Sequence, residues 1–440
     1  MSYTYDIKTS KEDVASKNCL FWVHMLSNIV NLFVSTFLVA HIYSFNGNTY
    51  AYLFNVGIYN IFNYLIMMIS YPLISRLVDK TKRVGVFRFS LILKVVLVVT
   101  IIFFGEQLSK LLILAGAING LADSFYFASF NVIKQEMVSR KSINGFVANV
   151  FIISQVIGIV CPVILGYLID VISYSYVAII ALVVLIVQLC LTLKIKSEKP
   201  TNSQFDLRGY LKKLNEHPNT KKKMVLIYVI CSLYGVVALT TNLINVCVML
   251  EFGSNFSLGA ITSVFAVLSI IALSLTKNHT KPQKRTWLYV LISVIPILSA
   301  IAFVIYVSPI TVVILNGTIS LSAIIYKYLF DIYRNGILKE SGLYSEISEH
   351  HTMVDILANI SRIVCFGILL LVAKLESLIA FKIMFVITIC VIGIIIWLIR
   401  YFEYNCLDDV LDNNDDNSNN ENNQQEKNIE TLTENSKTLN

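Results

Sequence analysis

Two ionisable side chains lie deep inside apolar stretches of this 440-residue sequence, where an ion is costly. Asp123 lies about 8 residues, or about 12 Å, from the nearer basic end of the apolar run 111–131, and Lys94 lies at a similar depth in run 84–104. A carboxylate at that depth costs about 3 kcal/mol on membrane-insertion scales, so it needs a partner or a function. We expect an ion pair whose protonation couples proton movement to the activity of the protein. A static buried pair, or a Lys94 ammonium that reaches the membrane surface, is the alternative.

Four apolar runs also carry polar side chains at helical spacing, so that each set shares one helix face. Together the four faces predict a water-filled cavity, whereas any single side chain could simply hydrogen-bond one helix to another. Asn, Tyr, Ser and Thr suit a polar or amphiphilic organic compound, and the Arg and Lys cluster expected for phosphate is missing. The candidate cavity residues are His24, Asn28, Asn31, Asn119, Asp123, Tyr126, Tyr234, Thr241, Asn245, Asn316 and Ser320.

A further charge, Arg362, lies well inside the run 353–373. Asp355 precedes it by seven residues, about two helical turns, which is too far along the axis for easy direct contact. Arg362 could therefore pair with an acid that the sequence does not identify.

The elements that position these residues follow from composition. Hydrophobic residues make up 56% of the chain, charged residues only 14%, and the mean hydropathy is +0.69. A soluble domain carries about 25% charged residues, so lipid must cover much of this surface. Apolar runs long enough to cross a bilayer occur at 20–44, 51–74, 84–104, 111–131, 146–169, 174–195, 224–250, 257–276, 287–307, 309–330, 353–373 and 378–399.

Loop charge predicts the orientation of these runs. The segment before the first run and the loops after every even-numbered run are basic, while the opposite loops carry almost no basic residues. Because basic loops stay in the cytosol, both termini are predicted to be cytosolic. The chain carries a net charge of +7, but its placement in short loops argues against nucleic acid as a partner.

The chain divides into five predicted segments. The loop between the sixth and seventh runs is polar and separates two sets of six, which is a common transporter plan. The acidic, Asn-rich C-terminal segment cannot bury a core and is predicted to be disordered. The segments are a cytosolic N-terminal stretch 1–17, a six-helix half 18–196, a cytosolic linker 197–222, a second six-helix half 223–402 and the tail 403–440.

The loop after the second run reads SRLVDKTKR, from Ser75 to Arg83. It resembles the loop signature G-x-L-x-D-[RK]-x-G-[RK] of the major facilitator superfamily: Leu77, Asp79, Lys80 and Arg83 match, while Ser75 and Lys82 replace its glycines. The resemblance implies an all-α membrane protein of about 12 helices in two six-helix halves, with helices 1, 4, 7 and 10 lining a central cavity. It also implies that Asp79, Lys80 and Arg83 latch the halves together on the cytosolic side. In the family, helix 11 borders the interface between the halves, so the resemblance makes Arg362 a candidate gating residue, with pairing to an acid as the alternative.

The fifth run is similar to a degraded G-P-x-x-G-G motif of drug-efflux members. Pro162 and Gly166 match, whereas Cys161 and Leu165 do not. The membrane arginine that many proton-coupled drug antiporters carry is replaced by Gly116. The resemblance implies efflux, and local helix packing and kinking is the alternative reading of Pro162 and Gly166.

The sequence thus predicts a secondary-active transporter of the bacterial cytoplasmic membrane, not an enzyme, that exports a small amphiphilic compound by proton-coupled alternating access. The expected partners are the lipid bilayer, a small-molecule substrate and protons; no cofactor or metal is expected. An importer or a lipid flippase of the same fold stays open. His350 and Asp355 form an H-x-x-x-x-D pattern of membrane acyltransferases, but no globular catalytic domain accompanies it.

Overall fold

The computed structural model describes residues 11–44, 48–137, 143–196, 205–278, 286–340 and 346–406. All regular secondary structure in these ranges is helical. Most of the predicted segment 1–17, part of the linker and nearly all of the tail lie outside the described residues. The helices are α1 (Lys11–Leu32), α2 (Leu38–Ser44), α3 (Thr49–Lys80), α4 (Arg83–Phe104), α5 (Leu112–Met137), α6 (Ile143–Ile172), α7 (Tyr174–Thr192), α8 (Leu207–Glu216), α9 (Pro218–Ser232), α10 (Tyr234–Phe252), α11 (Asn255–Asn278), α12 (Thr286–Ile305), α13 (Pro309–Glu340), α14 (Ile347–Leu375) and α15 (Leu378–Cys406).

Each of the twelve predicted membrane runs coincides with one of these helices or with a continuous pair. Phe33–Phe37 forms a π-helical segment that joins α1 to α2, and α9 and α10 follow one another to form the seventh run. Within the described ranges, eleven spans are long and apolar enough to cross a bilayer. The remaining run corresponds to α11, whose apolar stretch Asn255–Ile271 is shorter.

The outer surface of the bundle is apolar. Large side chains such as Phe103, Ile305 and Ile310 are 81%, 79% and 72% exposed, respectively. A soluble monomer rarely exposes large contiguous apolar patches. These side chains therefore fit a surface that contacts lipid, as expected for a multi-pass membrane protein.

We call α1–α7 the N-terminal half and α9–α15 the C-terminal half. The two sets of helices contact each other mainly along two helix pairs, α3 with α14 and α6 with α11. Gly166 on α6 faces the backbone of α11, because a Cβ there would lie 2.3 Å from the Asn255 oxygen. Gly259 on α11 faces α6 in the same way, at 2.1 Å from the Pro162 oxygen. Small residues thus allow the halves to approach to backbone contact, as is common between membrane helices. This close packing is consistent with the packing reading of Gly166.

Helix α8 lies between the two halves in sequence and identifies one side of the molecule, here called the linker side. Its Tyr210 hydroxyl lies 2.5 Å from the Tyr228 hydroxyl of α9. Its Lys213 ammonium donates to the Glu346 carboxylate just before α14, and this contact raises the pKa of Lys213. The opposite side, where α6 ends and α11 begins, is called the far side.

On the far side, the carboxylate of Asp170 at the end of α6 caps the N-terminus of α11. It accepts hydrogen bonds from the backbone N–H groups of Asn255 and Phe256 at 3.2 and 2.8 Å. It also accepts from the Asn255 side-chain amide at 2.8 Å and from the Ser254 hydroxyl at 2.9 Å. A carboxylate at a helix N-terminus satisfies unpaired donors and complements the helix dipole. This contact, here called the Asp170 clasp, joins the two halves.

Candidate functional site

A cavity of about 480 Å³ lies between the two halves. This volume is in the range of small-molecule sites. Thirteen lining residues come from the N-terminal half and six from the C-terminal half, so both halves border the same space. The lining consists of Asn31, Val34 and Ser35; Tyr59, Asn60, Asn63, Tyr64 and Met67; Lys94; Asn119, Asp123, Phe127 and Asn131; Asn242; Arg334; and His351, Val354, Asp355 and Arg362.

Lys94 and Asp123 form an ion pair in the wall of this cavity, with the ammonium nitrogen 2.8 Å from the carboxylate Oδ1. Lys94 Nζ also donates to Asn119 Oδ1 at 2.6 Å. The Asn119 amide nitrogen in turn donates to Asn63 Oδ1 at 3.0 Å and to Asp123 Oδ2 at 3.3 Å. The similar depths of Lys94 and Asp123 in their helices predict an ion pair, and the structure contains this pair. Its role in proton coupling stays a prediction.

Glycines on α5 allow this network to form. A Cβ on Gly116 would lie 2.4 Å from the Tyr59 backbone oxygen, and one on Gly120 would lie 2.0 Å from the Asn63 oxygen. Both glycines therefore press the α5 backbone against α3, in the spacing typical of close membrane-helix pairs. Asn119 lies between them in sequence and reaches Asn63 across the contact. Gly116, which replaces the arginine of many drug antiporters, thus allows α5 to pack closely against α3.

The access of the two charges differs. The Lys94 side chain is 7% exposed, whereas the Asp123 side chain is 17% exposed. Asp123 therefore reaches the cavity more freely than its partner.

Arg362 of α14 lies across the interface between the halves. Its guanidinium carbon lies 5.0 Å from the centroid of the Tyr64 ring on α3, a cation–π contact. Its Nη1 donates to Asn359 Oδ1 at 2.7 Å. Arg362 thus contacts both halves. Its gating role stays a prediction.

The linker-side part of the cavity carries Arg334, His351 and Asp355. Asp355 interacts electrostatically with both Arg362 and Arg334. No salt bridge joins Asp355 to Arg362 in the described residues, which agrees with their separation of about two turns. These residues belong to the C-terminal half.

Several predicted cavity residues lie away from this lining and make contacts within their own half. His24 Nδ1 lies 2.8 Å from the Tyr126 hydroxyl, and the Asn28 amide donates to Ser154 at 2.8 Å. Ser320 donates to Asn316 Oδ1 at 3.0 Å within α13. Tyr234 packs edge-on against Phe330 at 5.3 Å, Thr241 donates to the Val237 oxygen at 3.0 Å, and Asn245 is half-buried in α10. Their role in substrate binding stays a prediction.

The comparison with known families decides the class of the protein. The model of the Major Facilitator Superfamily matches residues 19–335, about 72% of the chain. The chain belongs to the major facilitator superfamily. The predicted family is therefore confirmed, and the protein is a transporter rather than an enzyme.

Solved structures of other transporters show the same fold. A bacterial homologue of the iron transporter ferroportin, in an inward-facing state, aligns with a TM-score of 0.63 at 13% identity and covers 89% of this chain and 99% of its own. A POT family transporter in complex with 5-aminolevulinic acid aligns with a TM-score of 0.63 at 12% identity, over 88% of this chain and 96% of its own. Identities this low show the fold alone.

One curated relative is similar in sequence. The uncharacterized protein YqgE of Bacillus subtilis (strain 168) is 30% identical over 119 residues, which is 26% of this chain. The match spans only 27% of that relative's length. It therefore adds a local similarity to the superfamily assignment.

The superfamily's loop motif lies at the junction of α3 and α4, on the linker side. Asp79 is buried near the end of α3 and interacts electrostatically with Arg83, at the start of α4, and with Glu349 of α14. Lys80 is the last residue of α3. Nearby, the Ser75 hydroxyl lies 3.1 Å from the Thr352 hydroxyl of α14. The motif thus lies where the halves meet, and its latch function stays a prediction.

The H-x-x-x-x-D pattern is divided between two surroundings. His350 Nδ1 lies 3.4 Å from the hydroxyls of Tyr210 and of Tyr228. Asp355 lines the cavity instead. The two side chains therefore do not share one site, in agreement with a transporter.

Polar residues on α3 and α14 had not been predicted as cavity residues. Asn60, Asn63, Tyr64 and Met67 have the spacing of a single helix face, and they line the cavity from α3. This spacing was visible in the sequence. The family resemblance implies a cavity lined by helices 1, 4, 7 and 10, so the polar face of the second run was not assigned to it.

Proposed function

We propose that this protein is a proton-coupled exporter of a small organic compound in the cytoplasmic membrane of a bacterium. The cavity between the halves holds the compound, and rocking of the halves exposes it to each side in turn. The observation that carries the proposal is the Lys94–Asp123 pair in the cavity wall, because it places a titratable carboxylate where substrate and proton can both reach it.

The proposed coupling follows from the pair's surroundings. Ionised Asp123 balances the buried Lys94 ammonium through a contact of 2.8 Å. Protonation of Asp123 removes that balance and leaves a buried cation without its partner, which is costly in a low-dielectric site. The protonated and ionised states therefore favour different arrangements of the cavity, as coupling requires.

The proposed direction of transport and the proposed substrate class rest on different observations. Export rests on the resemblance of the Pro162 and Gly166 segment to the drug-efflux motif. A small organic substrate rests on the cavity volume of about 480 Å³ and on its mixed lining of amides and aromatic rings, such as Asn60, Asn63 and Tyr64. The halves 18–196 and 223–402 are the proposed moving bodies, and Asp79, Lys80 and Arg83 are the proposed latch on the cytosolic side.

The test compares accumulation of fluorescent amphiphilic compounds in cells that express wild type, Asp123→Asn, Asp206→Asn or no transporter, each with and without a protonophore. Asp206→Asn is the matched control, because Asp206 caps α8 outside the cavity and Asn caps helices equally well. We expect lower accumulation with wild type and Asp206→Asn only, and loss of this difference with protonophore. Protonophore-resistant transport, or an Asp123→Asn variant as active as wild type, contradicts proton coupling through Asp123.

A further inference from the structure

The guanidinium of Arg362 has a hydrogen-bond donor for which the described residues supply no acceptor. Arg362 carries five N–H donors in a rigid fork, and Nη1 donates to Asn359. Its Nε is buried and has no hydrogen-bond partner among the described residues. Buried donors without partners are costly, so an orphan at a cavity wall indicates a missing acceptor.

Asn359 adds a second orphan donor beside the first. Its Oδ1 accepts from Arg362, so the other end of the amide must be the NH₂ group. That nitrogen, Nδ2, is buried and also has no partner within the described ranges. Arg362 and Asn359 of α14 thus each carry an N–H donor that has no acceptor among the described residues.

The charge balance of the cavity points in the same direction. Lys94 is balanced by Asp123 at 2.8 Å. Within the described residues, no carboxylate forms a salt bridge with Arg362. The single positive charge of Arg362 therefore favours a single negative charge on a bound molecule.

From these observations we propose that Arg362 binds a carboxylate of the transported compound, so that the substrate is a small organic acid or a zwitterion. This inference rests on the proposed transport function and specifies its substrate class. The planar guanidinium fork matches the two oxygens of a carboxylate. The single positive charge of Arg362 matches a carboxylate better than a doubly charged phosphate.

The position of Arg362 gives the carboxylate a role in transport. Arg362 belongs to the C-terminal half and contacts Tyr64 of the N-terminal half at 5.0 Å. A carboxylate held by Arg362 leaves the rest of a small substrate beside the Asn60 and Asn63 amides of α3. The substrate then contacts both halves at once, as a molecule that is carried by their movement must.

Binding to the purified full-length protein tests the proposal directly. The probes are acetate, benzoate, cinnamate, hippurate, glutamate and trialanine, each beside its neutral methyl ester, with chloride and inorganic phosphate as inorganic anions. The readout is the shift of the thermal midpoint over a concentration series. We expect at least one carboxylate to bind and its ester to bind ~10- to 100-fold more weakly, as expected for loss of a charge-assisted hydrogen bond.

Variants assign the binding to the guanidinium. For a carboxylate that binds wild type, Arg362→Gln should lower the affinity ~10- to 100-fold. Arg362→Lys should recover only part of this affinity, because lysine keeps the charge but lacks the planar fork of donors. Arg88→Gln is the matched control, since Arg88 donates to the Thr192 oxygen at 2.9 Å and does not line the cavity. A variant counts only when its size-exclusion profile matches that of wild type.

Three results overturn the proposal: esters that bind as well as their acids, a carboxylate whose affinity is equal in wild type and Arg362→Gln, or a panel in which no carboxylate binds. Its failure is separable from failure of the transport function. Protonophore-sensitive export of neutral or cationic dyes with no carboxylate binding removes this inference alone. Carboxylate binding without any transport removes the proposed export and leaves the binding site.

Discussion

The two halves contribute opposite kinds of chemistry to one cavity. The N-terminal half supplies a lysine and an aspartate that balance each other and are joined to Asn119 and Asn63 by hydrogen bonds. The C-terminal half supplies Arg334, Asp355 and Arg362, between which the described residues show no salt bridge. The N-terminal pair is thus balanced within the protein, whereas Arg362 of the C-terminal half keeps a buried donor without an acceptor among the described residues.

This difference separates two tasks that a coupled transporter must perform. In the proposed coupling, a proton on Asp123 cancels the charge that balances Lys94, and no other molecule is needed. A cation with orphan donors responds to an acceptor brought from outside. We therefore expect proton-dependent effects to follow the N-terminal half and substrate-dependent effects to follow the C-terminal half.

The largest expected effect comes from breaking the N-terminal pair. Lys94→Met leaves Asp123 without its counter-ion and should lower the free energy of unfolding by about 3–5 kcal/mol, while Lys94→Met with Asp123→Asn should recover most of the loss. Arg362→Gln removes a cation that has no salt bridge and should cost far less. Equilibrium unfolding in mixed micelles measures all of these. Additive costs for Lys94 and Asp123 would argue against their coupling.

The second largest effect on stability is expected from the close packing of α5 against α3 in the N-terminal half. Gly120→Ala forces a Cβ to within 2.0 Å of the Asn63 oxygen and should cost about 1–3 kcal/mol, because the α5 backbone must move away from α3. Gly158→Ala is the control, since nothing lies within 4 Å of a Cβ there. The same unfolding measurement should show no loss for the control. Equal costs for the two variants would contradict the close approach at Gly120.

A smaller effect is expected on the far side, where the halves meet through the Asp170 clasp. Asp170→Ala removes the acceptor of four hydrogen bonds at the start of α11 and should cost about 1 kcal/mol, the usual value of a helix cap. Hydrogen exchange at Asn255 and Phe256 should become faster. Unchanged exchange there would show that the clasp does not hold the halves.

The smallest effect is expected on the linker side. Ser75→Ala removes one hydroxyl contact of 3.1 Å with Thr352, whose hydroxyl keeps its bond to the Ser348 oxygen. The expected cost is about 0.6 kcal/mol, the average for hydrogen bonds between membrane helices. Thermal midpoints of this variant and of Asp170→Ala give the relative strength of the two contacts. A greater loss for Ser75→Ala would reverse the order proposed for the two sides.

The sequence was sufficient for features that depend on local composition. Apolar runs predict the helices because each run is long enough to cross a bilayer, and the matching depths of Lys94 and Asp123 predict their pairing. Both arguments need only the position of a residue within its own helix. The loop motif from Ser75 to Arg83 added the family.

Features that depend on the rotation of one helix against another were not predictable in this way. The polar faces of α1, α5, α10 and α13 were all expected at the cavity, but His24 and Tyr126 satisfy each other instead. Spacing along one helix gives a face, and only packing determines what the face contacts. The partners of Arg362, Tyr64 on α3 and Asn359 on α14, also needed the structure.

The glycines of α5 have a mechanical consequence. Backbone contact at Gly116 and Gly120 makes α3 and α5 one stiff unit, and α3 also packs against α14, where Leu370 lies against Gly57. Labels on α3 and α5 should keep a constant distance through a transport cycle, whereas labels on α3 and α14 should not. In the proposed coupling, α3 transmits a change in the protonation of Asp123 on α5 to α14 of the opposite half.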